Sequence, residues 1–204
     1  MLIHKPFIEP KTYLLPPTAQ VPNSRFPIIH YQQAIPNATP ESTAAAIQPN
    51  GWYTGGQWKA YYQAHFHAVT HECYGVISGA AIFSLGNAPG EKDVGADGKE
   101  IGVKVRFERG DVFVLPSGVS HCVFEDLGGF EYVGFYPPNS DRAAAGEEPF
   151  DMHLCNASSE ETAALAVVAA KTPIPSMDPL YGFDGPLPTL WKEADLSWAK
   201  GISE

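Results

Sequence analysis

His65-Phe66-His67, followed closely by His71-Glu72, sets three imidazoles and a carboxylate within eight residues. In a strand, alternate side chains share a face, so His65 and His67 point the same way with Cα atoms about 6.5 to 7 Å apart. Two neutral imidazoles at that separation can converge on one ion. Two histidines on a solvated strand face are equally commonplace, so the pair carries weight only with a second segment. The same alternation places Tyr61 and Gln63 on the histidine face, with Tyr62, Ala64 and Phe66 opposite. Beyond Glu72, Tyr74 and Val76 should also point inward. Tyr61, Gln63 and Tyr74 are therefore candidates to orient a ligand by hydrogen bonding. As ordinary barrel side chains they would instead find backbone partners for their polar tips.

A second segment exists, Gly110-Asp111-Val112-Phe113-Val114-Leu115-Pro116-Ser117-Gly118-Val119-Ser120-His121. A Gly-Asp turn leads into an apolar strand, a Pro-x-Gly bend redirects the backbone, and a histidine opens the next strand.

The elements that must carry these residues read as follows. Residues 1–52 are a proline-punctuated extended arm, of arms or edge strands, ending in one short helix. Thr39 is that helix's N-cap, Pro40 its first residue, and Pro49-Asn50-Gly51 its end. Residues 53–138 form the core of the domain, where aromatic and β-branched runs (YYQAHFH, ECYGVIS, AAIFSL, VKVRF, DVFVL, HCVF, EYVGFY) are separated by glycine turns. Residues 86–102 are polar and glycine-rich, an excursion between strands that could also serve as a lid. Residues 139–204 hold a helix opened by a Ser158/Glu161 capping box and running to about Lys171, then an extended tail packing back on the barrel. The whole chain reads as one domain.

The two histidine segments resemble the motifs of the cupin superfamily, G-x5-H-x-H-x(3,4)-E-x6-G and G-x5-P-x-G-x2-H-x3-N. His65, His67, Glu72 and Gly79 fit the first; Gly110, Pro116, Gly118 and His121 fit the second. Lys59 stands where the first motif begins with glycine, and Glu125 where the second ends in asparagine. Asn50-Gly51-Trp52, the HFHAVTHECYGVISG block and Asp178-Pro179…Gly182…Gly185-Pro186-Leu187…Trp191 narrow the resemblance to a YjlB-like branch of single-domain cupins.

The resemblance implies a mainly β fold, a double-stranded β-helix or jelly-roll barrel with a few short peripheral helices. It also implies a divalent transition metal (Fe2+, Mn2+, Ni2+ or Zn2+) held by His65, His67, Glu72 and His121, with coordination positions left open for water, dioxygen or substrate. A three-residue gap after His67 would put His71 in the place of Glu72. The six-residue spacing from Glu72 to Gly79 favours Glu72, and leaves His71 as a neighbour of the ligands or, by preference, a surface residue. Cys73 and Cys122 follow ligand positions, so alternation turns both thiols away from the ion. Arg106, near the Gly-Asp turn, reads as solvated.

The implied function is a metal-dependent enzyme acting on a small oxygen-rich organic molecule, of the non-haem dioxygenase type. Glu72, Tyr61 and Gln63 are its candidate catalytic residues. A metal-dependent isomerase or decarboxylase, or a metal and small-ligand binding module without turnover, would use the same ligands. A homodimer, covering barrel edges, is expected mainly by resemblance.

Composition excludes other classes. The 204 residues carry 13 Lys and Arg against 23 Asp and Glu, for a net charge of −10, and no basic run, which argues against nucleic acid and anionic membranes. The longest apolar stretch, residues 163–170, is far short of a bilayer span. Residues 1–11 lack a signal peptide's apolar core. Three cysteines make a disulfide framework unsuitable, and the chain reads as a cytoplasmic protein.

Overall fold

The structure is a computed structural model describing residues 8–95, 98, 100–138 and 150–201. Eleven strands among the described residues form two antiparallel sheets. In chain order they are β1 (Lys11–Tyr13), β2 (Ile28–Tyr31), β3 (Tyr53–Lys59), β4 (His65–Phe66), β5 (Glu72–Ser78), β6 (Ala80–Leu85), β7 (Val103–Glu108), β8 (Val112–Leu115), β9 (His121–Asp126), β10 (Glu131–Tyr136) and β11 (His153–Leu154). One sheet runs β1-β2-β8-β5-β10-β3 and the other β11-β4-β9-β6-β7. This is the jelly-roll barrel that the motifs implied.

Two sheets facing each other need strands that alternate, and β5 and β8 do so with apolar groups on both faces. Tyr74, Val76, Phe113 and Leu115 point between the sheets, where they meet Phe83, Phe107, Phe130 and Tyr132. Cys73, Ile77, Val112 and Val114 point outward into a second cluster, beneath helices. The helices are α1 (Pro40–Ile47), α2 (Ser159–Ala169) and α3 (Pro186–Gly201). The Thr39 side chain accepts from Ser42 N at the start of α1, and the Ser158/Glu161 box closes at the start of α2. No helix among the described residues is long and apolar enough to cross a membrane.

Two expectations need correction. The tail is not extended throughout, because residues 186–201 form the 16-residue helix α3. Pro186 and Pro188 suggested extended chain, yet both lie in the first turn, where a missing N–H breaks no helical bond. Asp178, fully buried, accepts from Leu187 N at 3.2 Å and from Leu180 N at 2.8 Å, fixing the entry to the helix. The N-terminal arm contributes β1 and β2 to the six-stranded sheet, with β1 at its edge. The second correction is that YYQAHFH is not one strand. Only His65–Phe66 forms a regular strand, while Gln63 sits in a bend. The regular strand before it is Tyr53–Lys59.

Candidate metal centre

Strands β4 and β9, with the bend before β9, bring the histidines together. His65 on β4 pairs directly with His121 on β9, and their ring centroids are 4.3 Å apart. His67 follows two residues on, its ring 5.2 Å from that of His65. The bend before β9 is tied to this segment, because Gly118 N donates to His67 O at 2.8 Å. Gly118 has φ +88°, and a Cβ there would meet Asn23 O at 2.5 Å, so glycine is required. The ligand atoms of His65, His67 and His121 all lie within 4.8 Å of one another, and all three residues are buried.

Each imidazole is oriented by a backbone carbonyl. His65 Nδ1 lies 2.8 Å from Gln63 O, His121 Nδ1 lies 3.1 Å from Val119 O, and His67 Nδ1 meets Asp151 O. A carbonyl can only accept, so each Nδ1 carries the proton and each Nε2 presents a bare lone pair. Glu72 Oε2 faces two of these nitrogens, at 3.3 Å from His67 Nε2 and 3.1 Å from His121 Nε2. Tyr74 OH donates to the same carboxylate oxygen at 3.0 Å and lies 3.1 Å from His121 Nε2. Lone pairs of a carboxylate and neutral imidazoles facing one another repel unless a cation lies among them. The donor set therefore fits a divalent metal, and its N/O composition suits Fe2+, Mn2+, Ni2+ or Zn2+.

The charges agree. Burial pushes the His65 pKa down to about 3, with the neighbouring His121 adding to the effect. Burial alone would raise Glu72, but the positive charge that His67, His121 and His65 carry when protonated outweighs it and holds the carboxyl at about 2; a divalent cation among the same groups favours the ionised carboxylate in the same sense. At neutral pH His65 is neutral and Glu72 ionised, the states that bind metal.

Above these groups lies a cavity of about 170 Å³, walled by Trp58, Tyr61, Tyr132, Tyr136, Phe150 and Met152. Tyr61 borders it, edge-on to His65 at 5.0 Å. The Gln63 side chain does not border it and is exposed. Alternation fails at Gln63 because residues 60–64 leave the sheet, and the residue serves His65 through its carbonyl instead. His71 is not a surface residue. It is fully buried on the opposite side of β5 from Glu72, against Trp191 at 4.7 Å, with Nε2 3.1 Å from Pro173 O and Nδ1 accepting from Ser117 N. Residues 87–91 and 93 of the 86–102 excursion border a separate cleft with Tyr62, Cys122 and Phe124, and none of its described residues lines the cavity above the histidines, so they do not cover the metal centre as a lid. Arg106 is paired with Glu108 at the surface.

A strap that the sequence reading missed crosses the mouth instead. Phe150 stacks on Tyr136, with centroids 5.4 Å apart and planes 8° from parallel, and meets the His67 ring edge-on. Asp151 Oδ1 accepts from Ala68 N at 2.9 Å and Val69 N at 3.1 Å, and Oδ2 lies 2.6 Å from His153 Nε2. β11 then pairs with β4. The alternation of Phe150, Met152 and Leu154 with Asp151 and His153 was the available signal. Asp151→Ala should free the strap and loosen His67. The Ala68 and Val69 amides are expected to lose hydrogen-exchange protection, and affinity for added Zn2+ to fall about 10- to 100-fold, as when other partners of metal-bound histidines are removed. Unchanged exchange would refute the contact.

A two-sheet jelly roll with inward histidines from two separate motifs is the pattern of a class to which the chain is similar, the cupin superfamily. The cupin family model matches residues 57–148. Over 187 residues the chain is 27% identical to the uncharacterised protein YjlB of Bacillus subtilis (strain 168), covering 90% of this chain and 97% of that one. Among solved structures, a salicylate 1,2-dioxygenase from Pseudaminobacter salicylatoxidans is similar at 18% identity and TM-score 0.33 over 48% of this chain and 23% of that one. The coconut allergen cocosin is similar at 10% identity and TM-score 0.32, over 47% and 21% respectively. The chain thus spans less than a quarter of either of those structures.

Proposed function

We propose that this protein is a metal-dependent enzyme of the non-haem dioxygenase type, acting on a small oxygen-rich organic molecule. His65, His67, Glu72 and His121 are its metal ligands in this reading. The observation that carries it is the convergence of three bare Nε2 atoms and an ionised carboxylate at the floor of a cavity with an open mouth. A divalent metal bound there supplies Lewis-acid polarisation of a substrate oxygen pair and a meeting point for dioxygen. The chain's own residues do the rest. Tyr74 OH steadies the Glu72 carboxylate by donating to Oε2. Gln63, Val119 and Asp151 hold the three imidazoles in one tautomer through their carbonyls. Trp58, Tyr132, Tyr136 and Phe150 limit water at the reacting atoms.

Turnover under air and under argon tests the reaction class. Protein loaded with Fe2+ is incubated with small diols, hydroxy acids and oxo acids, and dioxygen uptake is measured against substrate loss. Stoichiometric uptake with no anaerobic turnover is the expected result. Equal turnover under argon would move the protein to metal-assisted isomerisation or decarboxylation, and a tightly held but unchanged ligand would make it a binding module.

A further inference from the structure

Glycines in the middle of β3 and β10 weaken a sheet unless something needs the space above them. Gly56 and Gly134 are direct partners across these two strands. A Cβ on Gly56 would lie 2.8 Å from the Trp58 indole and one on Gly134 would lie 2.6 Å from it. The six-membered part of the indole therefore rests flat on a bare patch of backbone, where any larger residue would lift it. Next to it the register skips Gly55, and a Cβ there would lie 2.1 Å from the Tyr136 ring. Tyr132, the cross-strand partner of Trp58, stands beside the indole at 5.8 Å. One indole face is thus given to glycine backbone, while Trp58 also borders the cavity above the histidines and remains 39% exposed.

From this arrangement we infer that the substrate carries a planar unsaturated ring, which lies against the free face of Trp58 while its oxygen atoms reach the histidine end of the cavity. This specificity rests on the metal-centre reading above. An aromatic plane favours a flat π-system over a puckered ring of equal size, because only the flat ring brings all its atoms to stacking distance. Nothing in the metal centre itself requires a ring, so the preference resides in Trp58.

Three hydroxamates with one metal-binding head test it: acetohydroxamate, cyclohexanecarbohydroxamate and benzohydroxamate. They are titrated into Zn2+-loaded wild-type protein, Trp58→Leu and Trp58→Phe, with metal stoichiometry and circular dichroism recorded for each. In the wild type benzohydroxamate should bind about tenfold more tightly than either of the others, the scale of one aromatic contact. Trp58→Leu should reduce that ratio below about threefold, and Trp58→Phe should keep most of it. A wild type without ring preference, or a preference unchanged in Trp58→Leu, overturns the inference while leaving metal binding intact. If Trp58→Leu misfolds, the wild-type comparison and Trp58→Phe decide. A wild type that takes up no metal overturns the metal-centre reading, and the inference with it.

Discussion

Replacing His67 with alanine is expected to abolish stoichiometric metal and leave the barrel folded. His67 is the most heavily supported of the three histidines, because its Nδ1 meets Asp151 O while Asp151 Oδ1 binds the next two amides of the chain. Its Nε2 is one of the two nitrogens facing Glu72 Oε2. Loss of a partner behind a metal-bound histidine typically costs 10- to 100-fold in affinity, so loss of the ligand itself should cost more than about 100-fold. The fold does not depend on this ring. The inter-sheet core is built from Val76, Phe83, Phe107, Phe113 and Phe130, and the outer one from Trp52, Phe135, Leu187 and Trp191. Zn2+ titration with elemental analysis, alongside the far-UV spectrum, reads both halves of the expectation. Full occupancy in a folded His67→Ala protein would remove this histidine from the ligand set.

What was legible in the sequence follows from how local each determinant is. The Thr39 and Ser158 caps involve residues three apart, and both helices begin where those residues set them. The alternation of β5 and β8 is likewise local and fixed which side chains face between the sheets. His121 was found because a Pro-x-Gly bend precedes it, and the structure pairs it with His65. Trp58 and Asp151 were not legible, since each depends on partners distant in the chain. Gly56 and Trp58 acquire meaning only when Gly134 is placed beside them, and Asp151 only when it reaches the amides of Ala68 and Val69. Gln63 misled because a two-residue strand, β4, was read as a seven-residue one. His71 misled for a related reason. Beside an inward Glu72, an outward residue of a single sheet would be solvated, and the cover provided by α3 was hidden behind its prolines.

That buried His71 should make the protein sensitive to acid. Its ring lies against Trp191 and near Phe26, takes a hydrogen bond from Ser117 N on Nδ1, and gives one from Nε2 to Pro173 O. Protonation would place a charge in this apolar site and put a second proton on a nitrogen already facing a donor. Burial, reinforced by the positive charge of Arg25, holds its pKa down at about 3 despite the Pro173 carbonyl. In the unfolded chain the ring titrates near its ordinary value of about 6.5. Above pH 6.5 it is neutral in both states and stability is undiminished. Below that value the unfolded chain gains a proton that the folded chain refuses, so stability falls by about 1.4 kcal/mol per pH unit until pH approaches 3. Urea unfolding of chelator-treated protein at pH 7 and pH 5 should therefore show a drop in the wild type about 2 kcal/mol larger than in His71→Gln. The variant cannot take up the proton, and the contributions of His65 and the other histidines cancel in the comparison. Parallel losses in the two proteins would mean that His71 opens to solvent before the domain unfolds.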